Sequence, residues 1–487
     1  MAAPASDWDN SVQITDENKK FDGGSGRDHV LVTASGARVF GNAGGDWLST
    51  DIRLTAHSDT TLRTNLSGGS GDDEISAKLA IEDYDVGLTT RATARLLGGD
   101  GNDAITLDLR STDAALRGVV GGGRGDDTIS VTYGLISGGM GTLGESLIVN
   151  GDSGNDKITV DLYLSNSGYP ELDIPVAGGA GNDEISVRLR ASGNDGGVAT
   201  SRTDGGAGDD VIRSVVQGSP TGFGGGEYNV ARGGAGDDRI EVIARGPNFQ
   251  DTADNKAFGG AGDDTIVARI SLADDNGTAT NTDGGGNGDD ALTARIELAS
   301  GYETTALNTL RGGTGDDRLL AVIRVDPEAG ATARSELIGG SGDDTLTARG
   351  GDGNTLSGGS GNDTLRGGGG ADSLSGGSGA DELRGGGGAD TFIFAAATGT
   401  NAGQRDRIAD FEHGIDRIDV SGLDADPTLA GDQAFTFDDG RGPGHVWAEA
   451  AASGASLIYA DTGDGLLVIG VLDGQAGQGW SGDDFVL

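Results

Sequence analysis

Apolar and polar residues alternate along several stretches of the chain. In residues 157–164, 184–191 and 265–272, Ile, Val, Leu or Ala occupies every second position. Alternation with a period of two is typical of a β-strand that buries one face. The pattern therefore predicts a chain built largely from half-buried strands.

Each of these strands follows a glycine-rich nonapeptide that contains an aspartate. Examples are GGSGDDEIS at 68–76, GGAGNDEIS at 178–186 and GGAGDDTIV at 259–267. From residue 151 to residue 339 the copies begin 26 to 28 residues apart, and after residue 350 the spacing falls to about nine. The copies begin at Gly23, Gly41, Gly68, Gly98, Gly122, Gly151, Gly178, Gly205, Gly233, Gly259, Gly285, Gly312, Gly339, Gly350, Gly358, Gly367, Gly376 and Gly385.

The repeat predicts the fold. One unit of turn, strand, polar loop and second strand cannot bury its apolar row alone, whereas stacked units can. We therefore expect an all-β protein, an elongated parallel β-solenoid with coils of ~27 residues over 23–349. A nonapeptide β-roll is expected over 350–394 and a β-rich C-terminal capping and secretion-signal domain over 395–487, with a short N-terminal segment at 1–22.

Composition narrows the class of protein. The 94 glycines follow no G-X-Y period, so collagen is excluded and the glycines must serve turns. A net charge of −43 argues against nucleic acid and anionic membrane surfaces as partners. The chain has no cysteine, so it forms neither disulfides nor thiolate metal sites. We find no N-terminal signal peptide and no apolar run that would insert into a membrane.

The sixth position of the nonapeptide is an aspartate in nearly every copy. Stacked coils would place these carboxylates about 4.8 Å apart, and no row of Lys or Arg in the turns offsets the repulsion. A divalent cation is therefore expected. The aspartates are Asp28, Asp46, Asp73, Asp103, Asp127, Asp156, Asp183, Asp210, Asp238, Asp264, Asp290, Asp317, Asp344, Asp363, Asp372, Asp381 and Asp390.

The pattern G-G-x-G-x-D-x-U-x, in which U is a large apolar residue, resembles the calcium-binding repeat of the RTX (repeats-in-toxin) family. In that family one turn supplies backbone carbonyls and a carboxylate, and the neighbouring turn completes the Ca²⁺ shell. The resemblance implies multiple Ca²⁺ ions and a chain that folds on binding them. Beside the aspartates, it assigns as ligands Gly68, Gly178, Gly205, Gly233, Gly259, Gly285, Gly312, Gly339, Gly358, Gly367 and Gly376.

Three copies depart from the pattern. Asn354 stands where the copy at 350–357 should carry its aspartate, so we expect a weak or missing ion site there. Asn42 and Asp152 replace the second glycine in their copies.

Residues 390–424 resemble the region that closes the RTX array in secreted serralysin-type metalloproteases. Asp406, Asp410 and Asp416 are expected as surface carboxylates, with Ca²⁺ ligation as the alternative. The residues expected to cap the last coil are Phe392, Phe394, Ile408, Phe411, Ile415, Ile418 and Val420.

The C-terminal sequence DDFVL resembles the uncleaved signal that type I secretion systems recognise. The resemblance implies a bacterial protein that the type I apparatus exports without a cleaved N-terminal signal. Its expected location is extracellular or at the cell surface.

No catalytic motif is present. The four histidines lie outside any H-E-x-x-H motif, no G-x-S-x-G motif occurs, and only 22 residues precede the first turn. We therefore expect no enzymatic activity and assign no catalytic residue.

Two main function classes remain open. The first is a secreted structural protein, such as a surface-layer, matrix or filament subunit that self-associates. The second is a calcium-dependent adhesin or glycan-binding module that uses the aromatic residues Tyr169, Phe223, Tyr228 and Phe249 of the non-turn loops. An accessory domain of a polysaccharide-acting enzyme is a third, weaker alternative.

Overall fold

The structure is a computed structural model. It describes residues 10–56, 61–83, 91–111, 115–137, 147–166, 171–192, 198–218, 226–246, 251–272, 277–299, 304–325, 330–395, 405–425, 433–438, 440–451, 455–463, 465–472 and 479–487. The chain divides into two compact units. The first comprises Met1–Gly260 and Arg269–Thr278, and the second comprises Ala261–Ala268 and Ala279–Leu487.

The strands of the first unit follow one another in pairs, one before and one after each glycine turn. They are β1 (Asn10–Ile14), β2 (Lys20–Ser25), β3 (Asp28–Val32), β4 (Arg38–Ala43), β5 (Trp47–Ala56), β6 (Thr61–Ser70), β7 (Glu74–Asp83), β8 (Arg91–Asp100), β9 (Ala104–Ser111), β10 (Ala115–Arg124), β11 (Thr128–Ser137), β12 (Leu147–Ser153), β13 (Lys157–Asn166), β14 (Glu171–Ala180), β15 (Glu184–Ser192), β16 (Val198–Ala207), β17 (Val211–Gln217), β18 (Gly226–Ala235) and β19 (Arg239–Gly246).

Three further strands contain residues of both units. They are β20 (Thr252–Ala261), β21 (Thr265–Leu272) and β22 (Thr278–Asn287).

The remaining strands belong to the second unit. They are β23 (Ala291–Leu298), β24 (Thr305–Thr314), β25 (Arg318–Arg324), β26 (Thr332–Ser341), β27 (Thr345–Arg349), β28 (Thr355–Ser360), β29 (Thr364–Gly369), β30 (Ser373–Ser378), β31 (Glu382–Gly387), β32 (Thr391–Ile393), β33 (Arg407–Ile408), β34 (Arg417–Asp419), β35 (Thr436–Phe437), β36 (His445–Ala450), β37 (Ser456–Asp461), β38 (Leu466–Val471) and β39 (Phe485–Val486).

The strands pair in parallel with those one coil away, which makes the chain a parallel β-solenoid. In the first unit β13 pairs with β11 and β15, and β14 pairs with β12 and β16. In the second unit β25 pairs with β23 and β27, and β26 with β24 and β28. Helix is almost absent: the described residues contain one 3₁₀ turn at Gly482–Asp484. The predicted all-β solenoid with ~27-residue coils is confirmed.

Alternate residues of each strand point into a narrow core. Ile185, Val187 and Leu189 are fully buried, and Ile185 lies opposite Ile158 of the preceding coil. Parallel in-register strands therefore stack like residues on like, coil after coil.

The glycine turns depend on backbone conformations that other residues rarely adopt. In every copy except the one at 350–357, the residues at the second and fourth positions have positive φ, for example 122° at Gly179 and 125° at Gly181. In the copy at 350–357 the first and second glycines, Gly350 and Gly351, have positive φ instead. Asn42 and Asp152, which replace the second glycine in their copies, also have positive φ, at 79° and 76°. Asn and Asp are the residues best suited to that region after glycine. Both divergent copies therefore keep the turn.

Part of the core is polar, which the sequence analysis did not anticipate. In the first unit Asn229 Nδ2 donates to Asn255 Oδ1 at 2.9 Å, and in the second Asn281 Nδ2 donates to Asn308 Oδ1 at 2.8 Å. All four side chains are fully buried. Each lies four residues before the first glycine of its copy, a position that Ile174 fills in an earlier coil. Bonds between neighbouring coils satisfy amides that would otherwise be costly to bury.

Beyond residue 350 the strands are shorter. β28, β29, β30 and β31 have six residues each, and paired residues such as Thr364 and Glu382 lie 18 positions apart. Two nine-residue copies therefore separate partners in the same sheet. The β-roll and the boundaries of the four segments stay predictions.

The residues expected to close the array differ in their burial. Phe392, Phe394, Ile408, Phe411, Ile418 and Val420 are all buried. Ile415 is 49 % exposed, so its predicted capping role is wrong. It lies in a tight turn, in which the N–H groups of Ile415 and Asp416 donate to the Glu412 carbonyl, and the turn buries Asp416 instead. Trp480 stacks on Phe411 with ring centroids 4.9 Å apart.

Leu189→Ala should lower the free energy of unfolding by about 2–5 kcal/mol, because it leaves a cavity in the narrow core. Arg188→Ala, one residue away on the exposed face of the same strand, is the control and should change it by less than about 0.5 kcal/mol. Urea denaturation followed by circular dichroism measures both. Equal effects of the two substitutions would contradict the assigned facing of β15.

Candidate metal centres

The sixth-position aspartates form a buried row along the turns. Each is at most 3 % exposed. In the first unit the Asp156 N–H donates to Asp183 Oδ1 at 2.7 Å, and the Asp183 N–H donates to Asp210 Oδ1 at 2.8 Å. In the second unit the Asp290 N–H donates to Asp317 Oδ1 at 2.8 Å. One carboxylate oxygen of these aspartates thus holds the backbone of the preceding coil, whereas Oδ1 of Asp28, in the first copy, accepts from the Asn10 side chain.

The other carboxylate oxygen is buried and accepts no hydrogen bond among the described residues. This is the case for Oδ2 of Asp28, Asp46, Asp73, Asp103, Asp127, Asp156, Asp183, Asp210, Asp290, Asp317, Asp344, Asp363, Asp372, Asp381 and Asp390. A buried, charged oxygen without a partner is energetically costly. Its repetition in turn after turn indicates that something else neutralises it.

These Oδ2 atoms face a backbone carbonyl of the next coil. A Cβ built on Gly178 would overlap Asp183 Oδ2 and lie 2.7 Å from the carbonyl oxygen of Gly205. The same arrangement recurs at Gly122, where the oxygens come from Asp127 and Gly151. In these copies the first glycine therefore leaves space at a point where a carboxylate oxygen and a carbonyl oxygen converge, and the same pair of oxygens is found at Gly98, Gly151, Gly205 and Gly358.

The protein environment opposes ionisation of this row. Burial raises the pKa of Asp210 to about 7, the hydrogen bond from the Asp183 N–H opposes the shift, and the charges of Asp183 and Asp238 add to it. Burial likewise raises the pKa of Asp317 to about 7 and that of Asp156 to about 6. At neutral pH the row therefore requires a proton or a cation to offset its charge.

At Asn354 an uncharged amide replaces the carboxylate, so this turn has no charge that a proton or a cation must offset. It occupies the aspartate position, its Oδ1 accepts from the Ser335 N–H at 2.9 Å, and its backbone N–H donates to Asp372 Oδ1. Its Nδ2 donates to the carbonyl of Gly367, the first glycine of the copy one coil away, at 3.2 Å, and to Asp372 Oδ1 at 2.9 Å. The amide supplies the donor that an aspartate lacks. The weak or missing ion site expected at this turn stays a prediction.

Two aspartates beyond the repeats extend the rows. Asp406 Oδ1 accepts from the Asp381 N–H, and Asp416 Oδ1 accepts from the Asp390 N–H, both at 3.0 Å. Both side chains are buried, so their interpretation as surface carboxylates is wrong. Asp410 is half-buried and accepts from the N–H groups of Gly385 and Gly386. Sequence spacing hid the continuation, because Asp406 and Asp416 lie outside any glycine motif.

The fifth position of the repeat forms a second, exposed row that the sequence analysis overlooked. Asp209 N–H donates to Asn182 Oδ1 at 2.9 Å, and Asp237 N–H donates to Asp209 Oδ1 at 2.9 Å. Here the donor belongs to the following coil, the reverse of the buried row. The sequence does contain a signal for this exposed row, because copy after copy reads GDD or GND at its fourth to sixth positions. Asx side chains can hydrogen-bond nearby backbone in this way.

The donor set fits Ca²⁺ better than a metal bound by side chains alone. Within the described ranges, no three His, Cys, Asp or Glu side chains come together in a group that could hold a metal ion. Carbonyl oxygens would therefore complete any ion's shell, and Ca²⁺ accepts carboxylates and carbonyls in flexible geometry. The groups that would hold it are the aspartate Oδ2 atoms and the first-glycine carbonyls.

Without divalent ions, the β-sheet signal should weaken as pH rises from about 4 to about 7. The folded-state pKa values of about 6 to 7 at Asp73, Asp127 and Asp156 exceed the ordinary aspartate value. The folded chain therefore binds more protons across that window, and the stability this provides is lost as pH passes the folded pKa. Circular dichroism in metal-stripped buffer measures the change. A signal that rises with pH would contradict the buried, unpaired carboxylates.

Comparison with known proteins agrees with this architecture. Residues 14–457 match the family described as peptidase M10 serralysin C terminal. No curated protein matches the chain. Because the match covers most of the sequence, the chain belongs to the peptidase M10 serralysin C-terminal family.

Proposed function

We propose that the chain is a secreted calcium-binding repeat protein of the RTX type, which folds when Ca²⁺ enters its glycine turns outside the cell. The observation that carries this proposal is the row of buried Asp Oδ2 atoms facing backbone carbonyls. A cation of charge +2 would satisfy both oxygens at once. Asn354 supports the interpretation. In its turn the Nδ2 group replaces the second carboxylate oxygen and is hydrogen-bonded, so no unsatisfied oxygen remains there.

Calcium would act on folding rather than on chemistry. When bound, Ca²⁺ supplies positive charge that neutralises the row, and about fifteen ions would bring the net charge from −43 to roughly −13. The aspartates meanwhile hold the backbone of the neighbouring coil through Oδ1. Since the turns assemble only in the folded chain, metal affinity becomes folding free energy.

The family supports an extracellular location and export by a type I apparatus, because the serralysin C-terminal region is the non-catalytic part of secreted proteins. Low Ca²⁺ inside the cell would keep the chain unfolded for export. No helix among the described residues has the length and apolar character that crossing a membrane requires. We assign no catalytic role to any residue.

A structural role, as a subunit of a surface layer, matrix or filament, is the preferred function. Its support is the uniform repeat, which presents the same turn surface coil after coil. The alternative is an adhesin or glycan-binding module. Of the loop aromatics proposed for that role, Tyr228 is half-buried on β18, and Tyr169, Phe223 and Phe249 lie outside the described residues.

Sedimentation velocity and circular dichroism in chelator and then in millimolar Ca²⁺ test the proposal. We expect an expanded chain with little β-structure in chelator, and Ca²⁺ should produce folded chains that associate into large assemblies. Mg²⁺ at the same concentration is the control, since it demands a stricter geometry. A folded monomer in Ca²⁺ would contradict the structural role and favour the binding module. Unchanged β-structure would contradict calcium-dependent folding.

Asp183→Asn should lower the number of bound Ca²⁺ ions by about one, because an amide can donate to the Gly205 carbonyl as Asn354 donates to that of Gly367. Asp51→Asn, which removes the same charge from an exposed position on β5, is the matched control and should leave the number unchanged. Asn354→Asp should add an ion or raise the Ca²⁺ concentration needed for folding. Equilibrium dialysis with ⁴⁵Ca²⁺ measures the stoichiometry, and identical values for Asp183→Asn and Asp51→Asn would refute the assignment.

A further inference from the structure

A groove crosses the outer face of one sheet in the first unit, away from the glycine turns. It encloses 420 Å³ and crosses the strands from β5 to β15. One row of outward positions runs along it in register: Arg53 is opposite Ala80, and Arg110 is opposite both Ala80 and Gly134. Tyr163 follows Gly134 on the next strand, and Arg190 follows Tyr163.

The groove arises from the sizes of these side chains. Ala80 and Gly134 are small residues between the long side chains of the row, so they leave a depression there. A Cβ built on Gly134 would meet no atom within 4 Å, which shows that the space above it is open. The side chain of Tyr163 is 38 % exposed and lies beneath Arg190, whose guanidinium is 5.8 Å from the ring centroid.

The groove also concentrates positive charge on an acidic protein. Arg53, Lys78, Arg110 and Arg190 line it together with two acidic residues, Glu82 and Asp161, so cations are in excess there although the whole chain carries a net charge of −43. Arg110 is paired with Asp108 at 3.0 Å and Arg190 with Asp161 at 2.7 Å. Neither Arg53 nor Lys78 forms an ion pair with a described residue, so these two cations are available to an anionic ligand.

We propose that this groove binds an acidic oligosaccharide, a chain of sugars that carry carboxylates. Arg53 and Lys78 bind carboxylates at one end, and the Tyr163 ring packs against the apolar face of a sugar near the other. Neighbouring strands are about 4.8 Å apart, close to the length of one sugar residue in an extended chain, so successive sugars meet equivalent positions on successive coils. Repeat proteins commonly bind extended ligands on such surfaces.

The geometry disfavours three other ligands: a nucleic acid, an acidic peptide and a neutral sugar. A nucleic acid carries a phosphate at every nucleotide and needs cations along its whole length, whereas the two unpaired cations of the groove lie at one end. An acidic peptide would gain no backbone hydrogen bonds, because the groove crosses a sheet whose strands are paired on both sides and offers no edge. A neutral sugar would leave Arg53 and Lys78 unused.

The test compares two hexasaccharides with the same β-1,4-linked backbone, cellohexaose and its C6-carboxylated form. Isothermal titration calorimetry with the full chain in millimolar Ca²⁺ should show the acidic form binding at least about tenfold more tightly, with an affinity that falls as salt is added. The double variant Arg53→Gln/Lys78→Gln should lose about tenfold in affinity for the acidic form. Tyr163→Ala should weaken its binding as well.

Arg239→Gln is the control, because Arg239 is exposed on β19 of the same sheet and lies outside the groove. It should leave the affinity within about twofold of the unsubstituted chain. Equal affinity for the two sugars, no binding, or an unchanged affinity in the double variant would overturn the proposal. Tighter binding of hexaglutamate than of the acidic sugar would overturn it in favour of a peptide ligand. Circular dichroism of each variant in Ca²⁺ separates loss of the groove from failure of calcium-dependent folding.

Discussion

The structure depends on how the glycine turns accommodate a carboxylate that faces a carbonyl. In a turn such as that of Asp183, one aspartate oxygen accepts a hydrogen bond from the backbone of the preceding coil, and the other lies buried near the first-glycine carbonyl of the next coil. The first contact links coils through a hydrogen bond. The second brings together two oxygens that repel each other unless a proton or cation lies between them. The same side chain therefore holds the stack together and makes it conditional on neutralisation.

That condition explains why the repeat is so uniform in the turns and so variable elsewhere. A side chain on the first glycine would fill the space between Asp183 Oδ2 and the Gly205 carbonyl. The second and fourth glycines need positive φ. Asn42 and Asp152 also adopt positive φ at the second position, so the requirement there is this backbone conformation and not glycine itself. The core tolerates more change: Ile174 and Asn229 occupy equivalent positions, because an amide that bonds to its neighbour in the next coil can replace an apolar contact.

The sequence predicted the solenoid because its two signals are local. Period-two alternation marks each strand, and the glycine motif marks each turn, so the coil follows without any long-range information. The row of sixth-position aspartates followed from stacking. The burial of Asp406 and Asp416 did not, since only the folded chain shows that a strand without a glycine motif continues the row. Ile415 was misassigned for the same reason, because apolar character alone does not reveal which side of a turn a residue occupies.

Three groups of polar residues share one property, and only the third was singled out from the sequence. The fifth-position Asn and Asp residues, the buried asparagines and Asn354 all act between coils, so their partners lie a full repeat away. A hydrogen bond of this kind can form only after two coils are in register. Each such residue therefore favours the in-register stack over a slipped one, whereas the apolar core alone would accept a slip of two residues with little penalty. The aspartate row makes the solenoid conditional on neutralisation, and the amide rows help to set its register.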